Sequence, residues 1–174
     1  MKKSIVSTIS VAAILIALSA VAPAEPKHPV TVHGISFTTG VEFSAPQKAG
    51  LNAVLLVYPK NSSPGKERMS VMAVLYDREQ KKELENAKID LLEYTRSTFM
   101  GSVVAGTAIK KKFGTRAARG ERFAKKIPRP VTAEVYLVTL KNGSSVALGF
   151  QWPADMKADA AERIIAEAAA TFRE

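Results

Sequence analysis

Residues 53–58 read AVLLVY and residues 69–76 read MSVMAVLY. Both runs are apolar at odd and at even positions. A strand sends successive side chains to opposite faces, so a sheet built on these runs needs cover on both sides. Between them, residues 59–68 carry Pro59, Asn61, Ser62, Ser63 and Gly65 and read as a loop.

Upstream, residues 32–37 and 41–44 around Thr38-Thr39-Gly40 predict a small hairpin. Residues 45–50 read as a loop. Downstream, Asp77 followed by Gln80 fits a capping box, in which the carboxylate accepts an orphan N–H and the amide reaches back. Leu84, Ala87, Leu91, Tyr94, Thr95 and Phe99 then recur at helical spacing, which predicts one long helix ending at Gly101. Lys88 falls on its apolar side and is expected to snorkel. Residues 102–112 and 119–127 are weaker strands, and 131–140 and 144–152 stronger ones. Asn142-Gly143 forms the turn between the stronger pair, because both positions tolerate positive φ. From Asp155 a second helix places Ala161, Ile164, Ile165, Ala168 and Phe172 on one face.

Two amphipathic helices and a sheet apolar on both sides lead to an α+β fold. The expected architecture is a central, mainly antiparallel sheet with an amphipathic helix on each face. The alternative places both helices on one face.

The first 24 residues have the pattern of an export signal: Lys2 and Lys3, an apolar core, then Ala22-Pro23-Ala24 at the cleavage site. The expected divisions are signal peptide 1–24, a flexible lead-in 25–31, and a single domain 32–174. The expected location is periplasmic or secreted. Cysteine is absent from the 174 residues, which removes disulfides, thiolate metal sites and a cysteine nucleophile.

Charge is unevenly distributed. Residues 101–130 hold nine cations (Lys110, Lys111, Lys112, Arg116, Arg119, Arg122, Lys125, Lys126 and Arg129) and one acid, Glu121. The rest of the chain after residue 24 is slightly acidic. A field of one sign recruits polyanions, so these nine residues are the anion-binding candidates. The expected partners are anionic lipid, a cell-wall polymer or an acidic protein. The competing explanation is a solvated edge whose lysines prevent strand pairing. Nucleic acid fits less well, because Phe113 and Phe123 are the segment's only aromatics.

Catalytic inventories are thin. No Gly-x-Ser-x-Gly elbow is present. Gly101 to Gly106 has phosphate-loop spacing, but Thr107 stands where lysine is needed. The acids of the first helix alternate with Arg78, Lys81 and Lys82 as surface ion pairs would. His28 and His33 are five apart with no acid between them, so they do not make a metal site. No catalytic residue, metal or cofactor is expected.

The opening ISFTTGVEFSAP, two apolar strands, a helix after VLYD, strands joined at NG and the closing AERIIAEAAATF resemble, in element order, the PsbP-like fold family. The resemblance implies an antiparallel sheet between helices and a non-catalytic accessory role outside the cytoplasm. It supplies no site residue. The expected function is an exported, non-enzymatic binding or accessory protein. The alternatives are a small exported hydrolase, or an assembly subunit that pairs through a strand edge.

Overall fold

The structure, a computed structural model, describes residues 26–174 apart from 64, 103, 127 and 128. The expected signal peptide, 1–24, lies outside the described residues.

Strands β1 (His28–Val32) and β2 (Ile35–Thr39) form a hairpin. Strands β3 (Gln47–Lys48), β4 (Ala53–Tyr58), β5 (Met69–Tyr76), β6 (Thr107–Phe113), β7 (Arg116–Lys125), β8 (Val131–Thr139) and β9 (Ser145–Pro153) form one sheet. Its order is β3-β4-β5-β9-β8-β7-β6, with every neighbouring pair antiparallel. The helices are α1 (Arg78–Asn86), α2 (Leu91–Thr98) and α3 (Ala158–Thr171). This is a mixed α+β fold in a sandwich-like arrangement.

The doubly apolar runs divide by parity as expected. Met69, Val71 and Ala73 of β5 join Val146, Leu148 and Phe150 of β9 under α3 and the β1–β2 hairpin. Val74 and Tyr76 join Ala147, Val135 and Leu137 on the opposite face, under Leu91 and Leu92 of α2. Burying each large apolar side chain contributes roughly 1.5–3 kcal/mol. On α3 the buried face is Ala161, Ile164, Ile165, Ala168 and Ala169.

Several sequence expectations need correction. The first hairpin turns at His33-Gly34, not at residues 38–40, with φ of 50° and 76°. Two consecutive positive φ angles match the twist of the flanking strands, and that outweighs the cost at His33. Strand β1 therefore begins at His28, inside the stretch expected to be a flexible lead-in, and Gln47–Lys48 pair with β4 where a loop was expected. The NG turn carries three residues between Leu140 and Ser144, with Gly143 donating to the Leu140 carbonyl and taking φ 85°. Helix α3 starts after Lys157 rather than at Asp155.

The largest departure is the long helix, which is two. Helix α1 ends at Ala87, Lys88 takes φ 56°, and Asp90 caps α2 by accepting from the amides of Leu92 and Glu93. The second cap competes with helix continuation because it satisfies two orphan donors at once. Asp77 caps α1 as expected, but the Gln80 side chain accepts from Asn52 Nδ2 at 2.9 Å instead of reaching back. Helix α1 buries no residue. Lys88 lies in the link between the helices and does not snorkel from a helical face.

Candidate functional site

The nine cations do not form one face. Strand β6 is the sheet's edge, and alternation along it divides the lysines. Lys110 stands opposite Arg119, which reaches the α2 cap, whereas Lys111 stands opposite Ala118, which packs in the α3-side core. Lys110 and Lys112 therefore share the α2 side, and Lys111 points to the other.

All four arginines are held by carboxylates. Arg116 Nε lies 2.8 Å from Glu174, and Arg119 Nη1 lies 2.6 Å from Asp90. Arg122 bridges buried Glu134 and exposed Glu162, with Nε 2.6 Å from Glu134 Oε1. Arg129 Nη2 lies 2.7 Å from Glu67. Burial raises the Glu67 carboxyl, but amide donors from Glu67 itself and Gly65, with the Arg129 charge, hold it below its ordinary value. Asp90 behaves alike: burial opposes, and Arg119 with the Glu93 and Leu92 amides prevails. Glu174 is lowered first by the Lys141 amide, against slight burial, and then by Arg116. The one acid of the segment, Glu121, forms an ion pair with buried Arg96 of α2, its Oε2 2.9 Å from Arg96 Nε.

Lys110, Lys111, Lys112, Lys125 and Lys126 have no carboxylate within ion-pair distance among the described residues. They make two groups. Six positions along β7 separate the partner of Lys110 from Lys125, roughly 20 Å at strand rise. That exceeds the screening length of about 8 Å at physiological salt, so the two groups act independently.

Lys125 borders a cleft of about 400 Å³ on the α2 side. The floor is the uncovered end of β4, β5 and β9: Leu55, Val57, Met72 and the cross-strand pair Ser70–Gln151. Phe99, Met100 and Gly101, just past α2, make one wall, and the Glu67–Arg129 ion pair makes another. The broken helix explains the opening. Seven strands span roughly 29 Å, while an eight-residue helix is about 12 Å long. Bare Gly149 lets Met100 settle on the sheet; a Cβ there would stand 2.7 Å from its sulfur.

Sequence reasoning missed Ser70, Gln151 and Phe99 as cleft residues. A signal was available in Ser70 and Gln151, the polar interruptions at the ends of two apolar strands. It also missed Glu134, a buried acid flanked by Arg122 and by Tyr136, whose hydroxyl donates to it. Burial, and then the neighbouring Glu134, push the Tyr136 phenol well above its ordinary value. Arg122 links this cluster to Glu162 of α3. His33 sits in the first turn with Nε2 buried and without a hydrogen-bond partner among the described residues. Among the described residues, no group of three or more His, Asp or Glu is placed to hold a metal ion. No helix among them is long and apolar enough to cross a membrane.

No family model matches the chain, and no curated protein sequence matches it. A solved structure from Bacteroides thetaiotaomicron VPI-5482, at 1.50 Å resolution, is similar over 80% of this chain, with 14% identity and a TM-score of 0.46. The alignment spans 44% of that longer chain.

Proposed function

We propose that the chain acts outside the cytoplasm as a non-enzymatic accessory protein that docks edge-on against anionic lipid headgroups. The observation that carries this reading is the contrast within one segment. Every arginine there is spent on an internal carboxylate, while three consecutive lysines on edge strand β6 have none among the described residues.

Edge-on approach resolves the split between faces. Side chains above and below the outermost strand can all reach a surface that meets the strand's edge. Lysine also suits such a partner. It is a flexible, strongly hydrated point charge, whereas arginine's fork favours fixed bidentate recognition. Each lysine near an anionic bilayer is worth about 1 kcal/mol, so three give about 3 kcal/mol, roughly a hundredfold in partitioning. That is weak, reversible and salt-sensitive attachment. The element-order resemblance to the PsbP-like family is compatible with an exported accessory role. Assembly through the β6 edge is the poorer reading, because a lysine triplet opposes strand addition.

The test is sedimentation of residues 25–174 with phosphatidylglycerol vesicles and with neutral vesicles. Wild type should be retained on the anionic vesicles at low salt and released at physiological salt. Charge reversal at Lys110, Lys111 and Lys112 should abolish retention. Unchanged retention of that variant would reduce the triplet to a guard on the edge.

A further inference from the structure

We propose that the cleft beside the end of α2 is a binding site for a small amphipathic carboxylate, with its head on Lys125 and its apolar body on the sheet. This reading uses none of the β6 lysines and stands independently of membrane docking.

Three observations converge there. First, the volume of about 400 Å³ lies in the range of small-molecule sites. Second, the floor and wall are apolar where a hydrocarbon or aryl body would rest: Leu55, Val57, Met72 and Phe99. Third, among the polar groups at the cleft, Lys125 is left free of a carboxylate by the described residues, and its Nζ rests 3.4 Å from where a Gly101 Cβ would stand. The neighbouring Arg129 is already neutralised by Glu67 at 2.7 Å, so the cleft offers one net positive charge. Ser70 and Gln151, paired across β5 and β9, add a hydroxyl and an amide as neutral donors. One cation with neutral donors suits a monoanion, and a doubly charged phosphate would face Glu67 with a single compensating charge.

Glycine at 101 and 149 belongs to the same design. Gly101 turns the wall with φ 63°, which glycine takes without strain, and Gly149 lets Met100 lie low instead of filling the opening.

Gly149 and Gln151 of β9 face the cleft, whereas the alternate residue Trp152 packs in the core of the opposite face. Decanoate titrated into residues 25–174 should give a saturable heat of binding by titration calorimetry. Decanol should bind at least tenfold more weakly, and inorganic phosphate should produce no change. Lys125→Met should weaken decanoate about tenfold or more while leaving decanol unaffected, and Lys125→Arg should restore most of the affinity. Val57→Trp on the floor should block both ligands, with circular dichroism confirming the fold. Absence of saturation by decanoate, or equal affinity in Lys125→Met, would overturn the assignment. Retained decanoate binding in a variant with Lys110, Lys111 and Lys112 reversed would separate this site from the docking edge.

Discussion

The buried carboxylate of Glu134 on β8 accepts from Arg122 Nε of β7 at 2.6 Å, directly across the strand pair. The Tyr136 hydroxyl occupies its other oxygen. Glu134 is 2% exposed, while the Arg122 side chain is 45% exposed. The two partners are therefore not equivalent. Losing Arg122 strands a buried charge, whereas losing Glu134 leaves a cation that water can solvate. We predict that Arg122→Ala destabilises by about 2–3 kcal/mol and Glu134→Gln by about 1–2 kcal/mol. Urea denaturation of both variants checks the order; a larger loss for Glu134→Gln would contradict it.

Tyr76 makes alkaline stability a second test. Its hydroxyl lies 2.8 Å from Thr95 Oγ1, and Thr95 gives its own proton to the Leu91 carbonyl, so Tyr76 is the donor that ties β5 to α2. Burial is the main cause that pushes the phenol from 10.0 to about 12. A folded-state value above the unfolded one means that the folded chain holds the proton longer. Stability is then intact below pH 10 and falls as pH rises toward 12. Tyr136 adds in the same direction. Tyr76→Phe should lose about 1 kcal/mol at neutral pH and show a shallower alkaline decline. Identical alkaline slopes for wild type and variant would refute this.

Acid acts through the ion pairs. Glu67 and Asp90 titrate below their ordinary 4.5 and 3.8. Their contribution is complete above those values and disappears as pH falls through the lower folded-state ones. Replacing Arg129 by Gln should thus raise the acid-unfolding midpoint while changing the alkaline limb little. Circular dichroism between pH 2 and 7, taken as roughly the carboxylate range, measures it; an unmoved midpoint would remove the Glu67–Arg129 pair from the account.

The helix break yields a prediction of opposite sign. Lys88 holds φ 56° at a position that glycine occupies without strain. Lys88→Gly should stabilise, or at worst be neutral, within about 1 kcal/mol. Asp90→Ala should cost about 1–2 kcal/mol, because it removes two capping bonds and the Arg119 partner. Thermal melts compare the pair, and destabilisation by Lys88→Gly would mean that the link is held by something other than the cap.

The sequence was informative where a pattern repeats. The doubly apolar runs 53–58 and 69–76 announced a sheet covered on both faces, and the spacing of Ala161, Ile164, Ile165 and Ala168 placed α3. It was less informative where two local solutions compete. Leu84 through Phe99 keeps helical spacing across the break, so periodicity cannot see that Asp90 caps a new helix. The cleft follows from that break and was hidden with it. The basic segment illustrates the other limit. Net charge counted nine cations, but Glu67, Asp90, Glu134, Glu162 and Glu174, which neutralise the arginines, all lie outside that segment. Only the three-dimensional pairing separates spent arginines from available lysines.

That separation can be measured lysine by lysine. Brief acetylation of the protein with and without phosphatidylglycerol vesicles, read by peptide mass spectrometry, reports which ammonium groups meet the surface. The account predicts protection at Lys110, Lys111 and Lys112, with Lys66, Lys81 and Lys82 as reactive as in free protein. Equal reactivity of the triplet in both conditions, or protection spread evenly over all six, would contradict it.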